Sequence, residues 1–500
     1  MSGLALLGLV MLIVMLGAIF IGFPISFTLL FLALTFGYFG LGHVVFDLAY
    51  FQTIGMMKEE LLAAVPLFIF MGFLTEQAGL MERLFSAFRM ILAPIRGALF
   101  AVVILTATIF AMATGIVGAA VTVLGIMAAP IMIKTGYDAK LAAGCITAGG
   151  TLGILIPPSV MLIVMGPVIG VSVADLYAAA FGPGFLLAGI YLLYLLVRCN
   201  LNPMLGPPVP KEERIHSAGA MLWELVIGVA PLIMLIAAVL GSMLAGLATP
   251  TEASAIGALG AALLMIGYGR FSWRVLKLAV LSTTATSSMV LLLAVTSNIF
   301  GAVFARLGTA NWITESMLGL GFSPVLMVVL VLGLIFLLGW PFEWPAVILV
   351  FLPIFYPVMD GLRPALAESL GMAPEMVMVW FGASVAVVLQ TAYLSPPVAM
   401  SAYYLKQVVK EWSLATIYKG MFEFMMLQMV AVTLIVIFPK IVTAFPEQLQ
   451  HEARQIKAEE VDDSMNKLED DPLKQGAEPQ EEEPEQSDSL EKDDLKPGKK

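Results

Sequence analysis

Apolar stretches of about the length of a membrane span recur along most of the chain, and this limits the possible folds more than any motif does. A spanning helix needs about 20 mostly apolar residues. Segments of that character fall at 3–21, 23–41, 61–75, 89–110, 116–133, 176–197, 221–245, 253–268, 277–297, 325–339, 343–359 and 424–443. Two further apolar stretches, around 141–170 and 376–405, are each interrupted by Pro-Pro. Inside a bilayer every backbone donor and acceptor must be satisfied without water, so only helices and closed barrels cross it. The period-two alternation of a barrel strand is absent. The expected fold class is therefore an all-α polytopic membrane protein. The first apolar run starts at Leu4 with no basic residue before it and no small-residue cleavage site, and reads as a retained helix and not a signal peptide.

Charge divides the chain. Only 12% of the 500 residues are charged, against about 25% in soluble domains. Residues 447–500 carry 18 acids and 8 bases, so the whole formal charge of −10 lies there, while 1–446 has 18 of each and is neutral. From residue 446 onward the aromatics vanish and Glu, Asp, Lys, Gln and Pro dominate, which predicts a disordered, solvated acidic tail over 446–500. A second polar break at 199–217, rich in Pro and charge, falls near the middle of the body. It separates a first transmembrane half, 1–198, from a second, 218–445. No basic stripe exists to neutralise phosphates, which excludes nucleic acid as a partner. Cys145 and Cys199 are isolated and His43, His216 and His451 are scattered, so no disulfide, zinc or catalytic His centre is expected.

The two halves carry the same punctuation in the same order. Gly72 and Gly79 match Gly301 and Gly308, Gly115 with Pro130 matches Gly339 with Pro353, and Pro157-Pro158 matches Pro396-Pro397. Asp175-Leu176-Tyr177 matches Thr416-Ile417-Tyr418, and Pro24 with Ser26 and Pro250 with Glu252 open the halves. Repeats with Gly/Pro-interrupted hydrophobic segments at corresponding positions are the sequence sign of a secondary transporter. A helix breaks inside a bilayer only where its freed backbone groups meet protein, water or a ligand.

The Pro-Pro segments are the sharpest of these breaks. A prolyl pair removes two amide donors and drives the preceding residues out of helical conformation. Each segment is expected to form a re-entrant helical hairpin with its tip near mid-membrane. There Thr151, Ser159, Gln390, Thr391 and Ser395 would offer hydroxyl and amide oxygens, beside bare carbonyls, to a hard cation such as Na⁺. Ionisable groups within apolar segments are functional candidates by default, and Glu343, between Trp340 and Trp344, is the strongest. Arg306 matches Gln77 in repeat position and either meets a substrate carboxylate or snorkels.

The run Gly149-Gly-Thr-Leu-Gly-Ile-Leu-Ile-Pro-Pro-Ser159, with Gly136-Tyr137-Asp138, Gly170-Val-Ser-Val-Ala-Asp-Leu-Tyr177 and Ala248-Thr-Pro-Thr-Glu-Ala253, resembles the large membrane subunit of tripartite ATP-independent periplasmic (TRAP) transporters. The resemblance spans about residues 5–440. It implies two inverted repeats, each with a re-entrant hairpin, moving as an elevator against a scaffold. It also implies Na⁺ coupling, a small four-helix membrane subunit, a periplasmic substrate-binding protein and a bacterial inner membrane. The chain departs from the family pattern in places. Ala113-Thr114-Gly115-Ile116-Val117-Gly118 stands where a Ser-Gly-Ser-Ser-like run is common, and Gly339-Trp-Pro-Phe-Glu343 carries Glu in place of Asp.

The resulting expectation is a secondary importer of small organic acids, not an enzyme, with no cofactor and Na⁺ as coupling ion. Thr114, Gly115, Gly118, Thr151, Gly153 and Pro157 would hold Na⁺ in the first half, and Gly339, Glu343, Gln390, Thr391, Ser395 and Pro396 in the second. Ser159, Ser401 and Arg306 would face the substrate. The rival is a stand-alone ion-coupled carboxylate carrier or antiporter that works without a binding protein. An intramembrane enzyme has no His/Glu metal set or Ser/Lys dyad behind it, and the chain holds no P-loop for ATP.

Overall fold

Helices alone satisfy the backbone within each apolar segment, and among the described residues no strand occurs. The computed structural model describes residues 2–208, 218–396 and 399–469. The first half contains α1 (Gly3–Ile21), α2 (Ile25–Leu41), α3 (Val44–Met57), α4 (Leu61–Gln77), α5 (Leu80–Leu92), α6 (Ala98–Thr114), α7 (Val117–Lys134), α8 (Ala139–Thr151), α9 (Val160–Ile169) and α10 (Val173–Leu201). The second opens with α11 (Ala218–Ile236), which passes through a π-helical turn into α12 (Ser242–Leu244). It continues with α13 (Pro250–Gly267), α14 (Trp273–Arg306), α15 (Thr309–Leu318), α16 (Pro324–Leu338) and α17 (Trp344–Ala346). A second π-helical stretch, Val347–Phe351, leads into α18 (Leu352–Gly361), followed by α19 (Arg363–Leu370), α20 (Pro374–Gln390), α21 (Met400–Val408), α22 (Leu414–Ile437) and α23 (Lys440–Glu469).

Nine helical segments among the described residues are long and apolar enough to cross a bilayer, or ten if α4 and α5, bent by 56° at Ala78-Gly79, form one span. The apolar segment expected at 89–110 is two helices. Pro94 brings no amide donor and Gly97 takes φ 75°, so α5 ends at Leu92 and α6 starts afresh at Ala98. The expected start of a disordered tail at 446 falls inside α23, which runs to Glu469. Residues 209–217 of the inter-repeat loop and 470–500 of the tail lie outside the described residues.

The described helices up to residue 447 pack as two sets. In an outer set, α4 lies along α13, α14 crosses α2, α3 and α4, and α5 packs on α11. In an inner set, α8 is held by α6, α7 and α22, α20 by α10, α22 and α16, and α21 lies on α7 and α8. Burial peaks at α20, where with its 3₁₀ extension 94% of the most apolar window is buried, against 22% for α1, while outer α14 and inner α22 are alike at 50%. Within the inner set α20 is enclosed, while α7, α10 and α22 keep exposed apolar faces, among them Ile126, Leu193 and Phe422. The α8–α22 crossing depends on Gly420, where a Cβ would sit 2.1 Å from the Lys140 carbonyl oxygen. Small residues at such crossings let helix backbones approach closely in membranes.

Candidate functional site

The first site forms where α6 and α7 meet the break between α8 and α9. Gly115 takes the left-handed conformation, φ 60°, that L side chains avoid, and Ile116 is extended. This two-residue link reverses the chain, and α6 and α7 pack against each other. The tip faces the interrupted segment. A Cβ on Gly115 would lie 3.6 Å from the Pro158 carbonyl oxygen and 3.8 Å from that of Gly153. Across the break the chain makes a 3₁₀ turn at Leu152–Ile154, passes a cis Pro157-Pro158 bond and re-enters helix after extended Ser159. In a continuous helix the amide of residue 157 would bond the Gly153 carbonyl, and proline has no amide to give. Gly115, Gly153 and Pro158 thus frame a cradle of backbone oxygens, the donor type that suits a hard cation.

The second half repeats this order of parts. The link 339–343 joins α16 to α17, and α16 packs on the π-helical Val347–Phe351. A Cβ on Gly339 would stand 3.2 Å from Ala392 Cβ, so this link meets the break after α20. Phe342, Glu343 and Trp344 surround a small cavity together with Ala392, Tyr393 and Met400. Glu343 is half-buried and extended at the start of α17, and no ion pair holds it among the described residues.

The Pro-Pro segments break helices as expected but do not fold them back. Neither α8 with α9 nor α20 with α21 packs side by side, as the arms of a hairpin would. Prolines remove donors and interrupt a helix, whereas reversal needs a turn, which Gly115 supplies between α6 and α7. The pairs that meet across a tight link lie upstream of each Pro-Pro motif: α6 with α7, ahead of α8, and α16 with the stretch Val347–Phe351, ahead of α18 to α20.

The polar side chains at the breaks are fully buried and largely engaged with their own turns. Thr151 Oγ1 donates to the Ala148 carbonyl (2.8 Å), Thr391 Oγ1 to Val388 (2.6 Å), Ser395 Oγ to Thr391 (2.7 Å) and Thr114 Oγ1 to Phe110 (3.2 Å). Ser159 Oγ donates to the Ile154 carbonyl, and its own carbonyl accepts from Tyr177 OH at 3.2 Å. These hydroxyls close the ragged helix ends, and only their lone pairs remain for a ligand. Ser401 is buried in the first turn of α21 with no partner for its hydroxyl. Gly118 does not face the break: a Cβ there would lie 2.9 Å from Tyr404 Cζ, so its bareness makes room for that ring. Pro396 is exposed, and Pro397 and Val398 lie outside the described residues. Arg306 ends α14 on an exposed surface and is not brought to either break.

A cavity of about 500 Å³ opens between the outer and inner helices. The outer wall comes from α3, α14 and α15, including Gln52, Asn298 and Asn311, and the inner wall from α9 and α18, including Val168 and Pro357. Sequence reasoning missed these polar groups. Isolated Asn and Gln in apolar helices, with Glu59 and Ser297 on the same lining, were the available signal, and nothing in the spacing brings α3 to α14.

Discontinuous helices stacked tip-to-break inside a helical bundle, with a cavity along the bundle's border, define a polytopic membrane transporter. The fold is similar to that of the Alcanivorax borkumensis YdaH transporter, which superposes with a TM-score of 0.55 at 18% identity, covering 81% of this chain and 90% of that one. The family model for the tripartite ATP-independent periplasmic transporter, DctM component, matches residues 9–441, and the chain belongs to that family. The C4-dicarboxylate TRAP transporter large permease protein DctM of Pseudomonas aeruginosa is 28% identical over 78% of this chain and 86% of its own length. The sialic acid TRAP transporter large permease protein SiaM of Vibrio cholerae is 27% identical over 86% and 96%.

Proposed function

We propose that this chain is the Na⁺-coupled, substrate-translocating subunit of an organic-acid importer in a bacterial inner membrane. It would act with a small four-helix membrane subunit and a periplasmic substrate-binding protein. The observation that carries the reading is the paired arrangement at the breaks: Gly115 faces the Gly153 and Pro158 carbonyls, and Gly339 and Glu343 face Ala392 and Tyr393. Na⁺ at each place would tie a tip to a break, neutralise the local carbonyl dipoles and, in the second half, the Glu343 carboxylate. The order of parts in the two halves supports an origin as inverted repeats.

An organic carboxylate would bind next to the ions. The helix α9 starts at the first break without a side-chain cap, so its first-turn amides are available to an anion. The cavity along the border of the two helix sets supports an elevator, in which the inner set carries ions and substrate past the outer set. Coupling arises because the occupied and empty forms differ in how firmly the tips are held, and a ligand shifts a conformational equilibrium only by such a difference. The names of relatives cover both C4-dicarboxylates and sialic acid, so the fold supports many acids.

The test is reconstitution in proteoliposomes with the candidate small subunit and binding protein, with and without an inward Na⁺ gradient. Uptake that needs all three proteins and the gradient is expected. Robust uptake by the large chain alone would favour a stand-alone carrier, and uptake indifferent to Na⁺ would remove the coupling assignment.

A further inference from the structure

Among the described residues, a cluster of unpartnered polar atoms gathers where the two interrupted helices end. Thr151 ends α8, Gln390 ends α20, Tyr191 stands on α10 and Gln428 on α22, and all four side chains are fully buried. Gln428 Nε2 donates to Gln390 Oε1 at 3.5 Å, a long bond. Gln390 Nε2, Gln428 Oε1 and Tyr191 OH have no partner. The Tyr191 ring packs on that of Phe424, one turn before Gln428 on α22, with centroids 5.2 Å apart. Its hydroxyl, which interacts electrostatically with Gln428 and Thr151, has no hydrogen-bond partner.

Buried polar atoms without partners are rare and costly. The leftover groups here also have a definite chemistry. Two amides joined by one N–H···O bond always leave one whole NH₂ group and one carbonyl oxygen without a partner, whichever way each amide is assigned. A cation cannot satisfy the spare N–H, and no carboxylate joins the cluster to balance one. A water can accept from one amide, donate to the other and bond the Tyr191 hydroxyl, which matches the roughly three bonds of a buried water.

We infer that Thr151, Tyr191, Gln390 and Gln428 bind one buried water, and that this water-centred network couples the two breaks. The inference rests on the Na⁺ reading above for its functional part and on the orphaned atoms for the water itself. Tyr191 and Gln428 touch neither break's cradle and so act as positioning residues. They hold the C-terminal ends of α8 and α20 in register, so that ordering one break by an ion favours ordering the other.

The experiment uses the full chain with its partners in proteoliposomes, measuring uptake against Na⁺ concentration for Tyr191→Phe and Gln428→Met. Both variants keep side-chain volume and remove the polar partner. Loss of the network is expected to lower the Hill coefficient for Na⁺ toward one and to raise half-saturating Na⁺ about five-fold. A merely structural role would reduce yield and leave the shape of the Na⁺ curve unchanged. Unchanged curves in both well-folded variants would overturn the coupling. A high-resolution cryo-EM map of the wild type decides the water independently of transport and of variant folding. Density bonded to the Gln390 and Gln428 amides supports it, and direct amide–Tyr191 contacts with no density between them overturn it. Wild-type uptake without Na⁺ dependence would refute the Na⁺ reading and the coupling together, and leave the map to decide the water.

Discussion

Replacing Gly115 with Ala tests the first cradle most directly, because its structural cost and its functional cost separate. The left-handed backbone, φ 60°, costs an L residue about 1–2 kcal/mol. The new methyl would meet the Pro158 and Gly153 oxygens at 3.6 and 3.8 Å, ordinary contact distances, so no clash adds to this strain. Against a total stability of about 5–15 kcal/mol the variant should still fold. The same methyl, however, fills the space through which a cation would reach both carbonyls. Two charge–dipole contacts of about 1.5–3 kcal/mol each amount to about 3–6 kcal/mol, or about 10²–10⁴ in affinity. The assay is Na⁺-dependent uptake in proteoliposomes, normalised to protein that elutes as a single species and keeps its thermal transition. Gly118→Ala is the control, since its methyl meets only the movable Tyr404 ring. Wild-type Na⁺ affinity in Gly115→Ala would refute the cradle, and equal losses in both variants would point to general damage at the tip.

Three other perturbations bear on separate parts of the reading. Glu343→Gln should preserve fold and size but lower Na⁺ affinity about ten-fold or more, a loss of about 1.4 kcal/mol or more; unaltered Na⁺ titration would free Glu343 from ion coordination. Asn298→Trp places a large ring in the cavity of about 500 Å³ and should reduce uptake while leaving the Na⁺ dependence of the residual transport unchanged. Full uptake there would show that substrate avoids the cavity. Gly420→Leu forces a side chain against the Lys140 backbone, where even a Cβ would stand at 2.1 Å. It should abolish folded protein, as seen by detergent-resistant monodispersity, and normal yield would mean that α8 and α22 can separate.

Much of the architecture was readable from residues alone because its causes are local. A span is a matter of length and apolarity, so α1 begins and ends where the apolar stretch 3–21 does. Proline's missing amide acts on its own turn, so both Pro-Pro motifs marked real helix breaks. The direction of the chain after a break was not readable. Prolines stop a helix without reversing it, and the reversal belongs to Gly115, whose sign of φ no composition reveals. Thr151, Ser159, Thr391 and Ser395 lie at the breaks, yet their protons serve nearby carbonyls, since a freed helix end competes with any ligand for the nearest hydroxyl.

By itself, then, the sequence determined a neutral, helical membrane body, two interrupted segments and the acidic composition of the C-terminal end, because each depends on hydropathy, charge or missing donors within a few residues. The tertiary structure alone decided what meets at those interruptions. It set Gly115 against Gly153 and Pro158, turned Gly118 toward Tyr404, left Arg306 on the surface, and brought Gln428 to Gln390 with Tyr191 packed on Phe424 one turn away. These juxtapositions come from the crossings of α6, α7, α8, α10, α20 and α22. Packing sets them over separations of up to hundreds of residues, where hydrophobic periodicity carries no information about which polar atom faces which.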